Sequence, residues 1–168
     1  MFQRYRLIGA AAAVAASATI ALTGLSAASA SPARPAATGT EHLQLMTTNG
    51  TTNKVPVIIH GLVTASGVDH EGKGNTDTFT FAGGSFKVTH SSGKGSQHFN
   101  SKTCLLQVAQ HGTYRIHNGT GKFKGFSAHG TYHLSILALA RKVHGKCSMK
   151  AAPAAFQQLI QASGPASR

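Results

Sequence analysis

The sequence predicts an all-β domain, either a sandwich or a barrel. Short stretches of β-branched and aromatic residues recur about every ten positions, and glycine-containing turns separate them. The chain has 19 glycines, enough for many turns and bulges. No regular alternation of strands with helices is present, which excludes an α/β architecture.

Residues 1–30 are predicted to be a secretory signal peptide. Arg4 and Arg6 precede the apolar stretch 7–22, and Ala28-Ser29-Ala30 is a small-residue cleavage site. An uncleaved membrane anchor is the alternative, but the apolar stretch is shorter than the roughly 20 residues that a helix needs to span a bilayer. We therefore expect a secreted or extracellular protein, which could associate with the cell wall and has no membrane span after cleavage.

The charge balance indicates which partners to expect. Removing residues 1–30 takes away Arg4 and Arg6, which leaves 14 basic side chains against 4 acidic ones. Such an excess favours adhesion to polyanions, among them an anionic cell-wall polymer. The basic residues are scattered, with no run of five, so no specific nucleic-acid site is indicated.

Two cysteines, Cys104 and Cys147, are the only ones in the chain. In the oxidising compartment that the signal peptide predicts, a single disulfide between them is the expected state. No Cys-x-x-Cys spacing points to a metal or redox site.

Strand candidates follow one another along the chain after residue 40. In 76–81, Phe79 and Phe81 alternate with threonines, which is typical of a half-buried strand. Pro56 restricts its strand to a start or an edge, because proline has no backbone N–H. Polar, glycine-containing stretches at 69–75 and 91–96 are predicted to be loops. The candidates are 43–46, 55–59, 62–68, 76–81, 85–90 and 103–108.

A doubled phrase predicts the next two strands. The sequence His-Gly-Thr-Tyr occurs at 111–114 and again at 129–132. Asn118-Gly119-Thr120-Gly121 lies between the copies and is predicted to be a structural turn of a hairpin. The second strand is expected to continue to about residue 139.

The end of the chain is predicted to be a short C-terminal helix or a tail. Within 151–162, Phe156, Leu159 and Ile160 have helical spacing, and Pro153 suits a first helical turn.

The stretch 118–125, Asn-Gly-Thr-Gly-Lys-Phe-Lys-Gly, resembles the turn of the allene oxide cyclase and dirigent superfamily. Residues 77–86, with Asp77-Thr78-Phe79-Thr80-Phe81 and Gly83-Gly84-Ser85-Phe86, are similar to bacterial secreted allene-oxide-cyclase-like barrel proteins. The resemblance covers about residues 55–140 and implies an antiparallel eight-stranded barrel with a central cavity. The expected organisation is then a signal peptide (1–30), a flexible leader (31–40), a β-barrel domain (41–150) and a C-terminal helix or tail (151–168).

Four residues are candidates for a ligand pocket. Tyr114 and Tyr132 occupy equivalent places in the two copies of the phrase, so they can face one side of paired strands. Asp77 and Arg115 lie within strand candidates and could form an inward-facing pair. Core or surface positions in the sheet remain the alternative for the tyrosines.

The histidines do not predict a metal site. His129 and His133 would be a ligand pair on a helix, but four residues of a strand span about 13 Å. We expect no metal, no cofactor, and a protein that binds a small apolar ligand or a surface partner. The alternatives are an isomerase or cyclase acting in the barrel cavity, as the resemblance to the allene oxide cyclase and dirigent superfamily implies, and a basic cell-wall-associated adhesion protein. Neither a catalytic residue nor an oligomeric state follows from the sequence.

Overall fold

The computed structural model describes residues 36–168, and in them eight antiparallel strands close into a barrel. The predicted all-β, eight-stranded antiparallel barrel is thus confirmed. In spatial order around the barrel the strands are β1 (Thr38–Thr47), β10 (Ala155–Ser167), β7 (Ser127–Leu139), β6 (Leu105–His117), β5 (Gly84–Asn100), β4 (Thr76–Phe81), β3 (Ala65–His70) and β2 (Lys54–Gly61). Strands β8 (Arg141–Val143) and β9 (Lys146–Ser148) form a separate two-stranded sheet.

Alternation along each strand decides which side chains enter the barrel. On β2, Val57 and Ile59 are buried while Ile58 between them is 55% exposed. Successive side chains of a strand point to opposite faces, so one set fills the interior and the other meets solvent.

Phenylalanines fill one end of the barrel, which we call the plugged end. This end carries the β2–β3, β4–β5 and β6–β7 connections. The Phe86 ring lies 5.0 Å from Phe81, 5.3 Å from Phe123 and 5.7 Å from Phe126, measured between centroids. All four side chains are buried, so no ligand space remains at this end.

The prediction of a C-terminal helix or tail in 151–168 is wrong, because Ala155–Ser167 form the strand β10. Its residues pair with β1 on one side and β7 on the other, for example Leu45 with Ile160 and Ile160 with Leu134. Local helical spacing cannot compete with two rows of interstrand hydrogen bonds and the burial that accompanies them. The barrel therefore extends beyond the expected boundary at 150 to Ser167.

Three further expectations need correction. The predicted loop 91–96 is part of β5, which continues to Asn100 with a register shift between Ser92 and Gly95. Asp69 belongs to β3 and not to the following loop. The signal peptide and residues 31–35 of the leader lie outside the described residues, and Thr38 already begins β1 instead of continuing a flexible leader.

The predicted disulfide between Cys104 and Cys147 is present, with Cα atoms 5.3 Å apart. It ties the β5–β6 connection to β9. Within residues 36–168 no helix has the length and apolar character needed to cross a membrane.

Candidate functional site

A cavity of about 390 Å³ occupies the end of the barrel opposite the phenylalanines, which we call the open end. The β1–β2 and β3–β4 loops form its mouth, through residues such as Asn49, Asn53 and Glu71. Its walls are apolar on one part and polar on another. The apolar lining residues include Leu43, Leu45, Val55, Phe79, Val88, Leu134 and Ile160, and the polar ones Asp69, Asp77, His90, Ser92, Gln110, Tyr114, Tyr132 and Gln158.

Both tyrosines of the doubled phrase line this cavity. Strands β6 and β7 are antiparallel, so Tyr114 pairs with Gly130 and Tyr132 pairs with Gly112. A side chain at Gly112 would collide with the Tyr132 ring. Gly112 therefore makes room for the Tyr132 ring, whereas a side chain at Gly130 would collide with the Ser163 carbonyl of β10.

Three of the four acidic side chains of the chain gather around the cavity. Asp69 on β3 pairs with Phe79 on β4, and Asp77 lies two residues from Phe79 on the same face. Glu71 follows at the mouth. Burial first, and then the charges of Asp77 and Glu71, raise the pKa of Asp69 to about 7.

Asp69 is buried, 8% exposed, and its Oδ1 atom has no hydrogen-bond partner. The Tyr114 side chain is 5% exposed, and its hydroxyl also lacks a partner. Burial, followed by the negative charge of Glu41, raises the pKa of Tyr114 to about 12. Asp69 and Tyr114 therefore both line the cavity, and each holds one buried polar atom that has no hydrogen-bond partner.

Asp77 differs from Asp69 because it already has partners. Its Oδ2 atom lies 3.3 Å from His90 Nε2, and its Oδ1 atom accepts a hydrogen bond of 2.9 Å from the Gly72 N–H. The first contact fixes His90 against the wall, and the second holds the β3–β4 loop.

The expected pairing of Asp77 with Arg115 is wrong. Arg115 is exposed, whereas its neighbour Tyr114 is buried. Since adjacent residues of a strand face opposite ways, Arg115 points out of the barrel and cannot reach a ligand inside.

The turn residues Asn118, Gly119, Thr120 and Gly121 lie at the plugged end, away from the cavity. The connection between β6 and β7 is longer than a two-residue hairpin, because it includes a 3-10 turn at Gly121–Phe123 that inserts Phe123 into the core. The Thr120 hydroxyl accepts a hydrogen bond of 3.0 Å from the Ser85 N–H. The turn therefore joins β5 to the plug and takes no part in the site.

Glu41, the fourth acid, is fully buried inside the barrel. Its Oε2 atom accepts a hydrogen bond of 3.0 Å from the Val63 N–H, while Oε1 has no partner. Burial is the main cause that raises the pKa of the Glu41 carboxyl, and backbone hydrogen bonds from Val63 and Leu62 oppose it with a smaller effect.

The histidines meet across strands instead of along one strand. His42 and His60 stack with ring centroids 4.8 Å apart, and His111 and His133 lie 4.5 Å apart. All four are exposed on the outer wall. Among residues 36–168, no group of three or more His, Cys, Asp or Glu side chains is placed to hold one metal ion.

The chemistry available in the cavity follows from these positions. A carboxyl with a pKa near neutrality can accept or donate a proton at pH 7, and a phenol with a raised pKa remains a hydrogen-bond donor. Neither Asp69 nor His90 was identified from the sequence as a site residue, and Asp69 was placed in a loop. Alternation along β3 could have indicated Asp69, because it lies two positions from Gly67, whose Cβ position points at the buried Phe81 ring.

Comparison of the chain with protein-family models, with curated proteins and with solved structures finds no match. The fold and the cavity are therefore the basis for any functional statement.

Proposed function

We propose that the protein binds a small, largely apolar ligand in the open end of the barrel. The observation that carries the proposal is the cavity of about 390 Å³ with an apolar wall and a few convergent polar groups. Sites for small molecules typically have this size and this mixture of surfaces. The plugged end supplies the rigid base on which such a site depends, because four packed phenylalanine rings close it.

A cavity-filling variant tests this proposal. Ala162 on β10 lines the cavity, and its neighbour Gln161 is exposed on the outer wall. The uncharged fluorescent probe N-phenyl-1-naphthylamine should bind the unmodified protein and raise its melting temperature. Ala162→Phe should abolish binding, while the matched variant Gln161→Phe should leave it intact. Equal binding by both variants would place the probe outside the cavity and contradict the proposal.

Isomerase or cyclase activity would use the same cavity and the same polar groups. Incubation of the protein with a bound compound distinguishes the two functions: a binding protein releases the compound unchanged, and an enzyme releases an isomer.

We propose membership of the allene oxide cyclase and dirigent superfamily on the resemblance of residues 55–140 together with the closed eight-stranded barrel.

A second function, adhesion to an anionic cell-wall polymer, is favoured by how the charges are arranged. Every Lys and Arg side chain in residues 36–168 is exposed, and within that range none forms an ion pair with a carboxylate. The outer wall therefore carries uncompensated positive charge, which attracts polyanions at low salt. We propose that the protein is exported to such a surface, and the disulfide supports an oxidising compartment.

Salt-dependent retention tests the adhesion proposal. Retention on immobilised polyphosphate should be strong at low salt and lost at about 1 M NaCl, where the screening length falls to about 3 Å. Charge reversal at Lys122 and Lys124, or at Lys142 and Lys146, should weaken retention equally if the whole surface acts. Retention that persists at high salt would exclude the electrostatic mechanism.

A further inference from the structure

Acidic and basic side chains are separated between the inside and the outside of the barrel. All four acidic residues of the chain lie in the barrel interior or around the cavity, and every described Lys and Arg lies outside. A basic protein would gain more from placing its few carboxylates beside surface cations. Asp69, Glu71 and Asp77 instead line a cavity that no Lys or Arg side chain enters.

From this arrangement we infer that the ligand carries a positively charged nitrogen on its apolar body, and that Asp69 receives that charge. The inference rests on the proposed ligand-binding function and specifies the chemical class of the ligand. A protonated alkylamine has both parts: N–H donors for the carboxylate, and a hydrocarbon body for the apolar wall.

Asp69 is the receiving group because it lines the cavity and lacks a partner, whereas Glu41, which also has an unpartnered oxygen, is not among the lining residues. Among the described residues the only contact between a carboxylate and a basic side chain is that of Asp77 with His90, so Asp77 is occupied. Asp69 Oδ1 is buried without any hydrogen bond. A buried polar atom without a partner destabilises the folded protein, and a donor on the ligand would remove that cost.

Tyr114 and Tyr132 complete a surface suited to a cation. Tyr114 lines the same cavity, and its buried hydroxyl is a second group without a partner, whose oxygen can accept a hydrogen bond. Tyr132 also lines the cavity, with its ring 6.4 Å from that of His90, and an aromatic ring attracts a cation placed over its face.

The same groups disfavour the other ligand classes. An anionic ligand would meet Asp69, Asp77 and Glu71 with no Lys or Arg among the lining residues to offset them. A neutral hydrocarbon would fill the apolar part but leave Asp69 further desolvated and still without a partner.

Three compounds that share one rigid apolar body test the inference: 1-adamantylamine, 1-adamantanol and 1-adamantanecarboxylate. Binding to the disulfide-bonded protein is measured by calorimetry at about pH 8, where Asp69 is mostly ionised. The amine should bind about 10- to 100-fold more tightly than the alcohol, the gain typical of a charged hydrogen bond, and the carboxylate should bind most weakly.

Two perturbations assign the preference to Asp69. Asp69→Asn should remove the preference for the amine and keep binding of the alcohol. Glu71→Gln, at the exposed mouth, should reduce the preference much less. Should the Asp69 variant fail to fold, the unmodified protein still provides the test, because lowering the pH to about 5.5 protonates Asp69 and should shrink the preference while the amine stays charged.

The pH test must account for the other titratable groups that line the cavity with Asp69. These are Asp77 on β4, Glu71 in the β3–β4 loop, His90 on β5, Tyr114 on β6 and Tyr132 on β7, and the charges of Asp77 and Glu71 act on Asp69. Measuring Asp69→Asn at both pH values separates the effect of Asp69 from that of these neighbours, because the substitution removes only the contribution of Asp69.

The outcomes distinguish this inference from the proposed function. Equal affinity for amine and alcohol, or tighter binding of the carboxylate, would overturn the cationic ligand and leave the small-ligand function standing. If none of the three compounds bound, both would be overturned. Binding that is tightest for the amine, weaker for the alcohol and weakest for the carboxylate, with this order lost in Asp69→Asn, would support both.

Discussion

Replacing two neighbouring isoleucines of β2 tests the barrel wall with one residue type. Ile59 is fully buried and pairs with Leu43 on β1 and Ala65 on β3. Ile58 is 55% exposed and pairs with Gln44 and Ser66. The two residues are adjacent in sequence, but Ile59 points into the barrel core and Ile58 points to solvent.

The expected loss of stability follows from the hydrocarbon removed. Ile59→Ala deletes three carbon atoms from the core, at about 0.8 kcal/mol each, and leaves a cavity, so the free energy of unfolding should fall by about 3–4 kcal/mol. Ile58→Ala loses only β-strand preference and partial burial, at most about 1 kcal/mol.

Urea denaturation followed by circular dichroism measures both variants. With a slope of about 1.5 kcal/mol per molar urea, Ile59→Ala should lower the midpoint by about 2 M and Ile58→Ala by less than about 0.7 M. Ile59→Val, which costs about 1 kcal/mol, serves if the alanine variant does not fold. Equal midpoint shifts for the two alanine variants would refute the inside and outside assignment of β2.

Three further predictions concern the disulfide, the buried acid and the β6–β7 turn. Replacing Cys104 and Cys147 by alanine should lower the free energy of unfolding by about 4 kcal/mol, because 43 residues separate the bonded pair; reductant should destabilise the unmodified protein equally, and an insensitive melting temperature would contradict this. The pKa of Asp69 is raised from 3.8 to about 7, so the folded state binds its proton more tightly and stability should fall as pH rises from about 4 to 7. Asp69→Asn should remove that part of the slope in thermal denaturation, whereas parallel pH profiles would count against it. Gly121→Ala should destabilise more than Gly125→Ala, since both have positive φ but only a side chain at Gly121 collides with the Gly83 carbonyl; a comparison of melting temperatures in which Gly125→Ala is the worse variant would disprove the docking of this turn.

Much of the wall was predictable because alternation is a local property. The stretch with Phe79 and Phe81 is the strand β4, and both phenylalanines are buried. The doubled phrase also forms paired strands with its tyrosines inside. In each case the inward face carries the larger apolar side chains, so the sequence alone distinguishes the two faces.

The candidate site was predictable only in part. Tyr114, Tyr132 and Asp77 line the cavity, but Arg115 does not, since the parity that sends Tyr114 inward sends Arg115 outward. Asp69 was not found, because an acid beside a glycine-rich stretch has the composition of a loop. Its place at the cavity depends on pairing with β2 and β4, which are separate stretches of the chain.

The sequence by itself determined that this protein is built of β-strands and that Cys104 and Cys147 are the two residues available for a disulfide. These properties depend on local alternation, glycine positions and the count of cysteines. Tertiary structure alone decided that β10 is a strand, that phenylalanines plug one end and that Asp69, Glu71 and Asp77 gather around a cavity at the other. Each of these depends on contacts between distant residues, such as Ile160 between β1 and β7, and local spacing carries no information about such contacts.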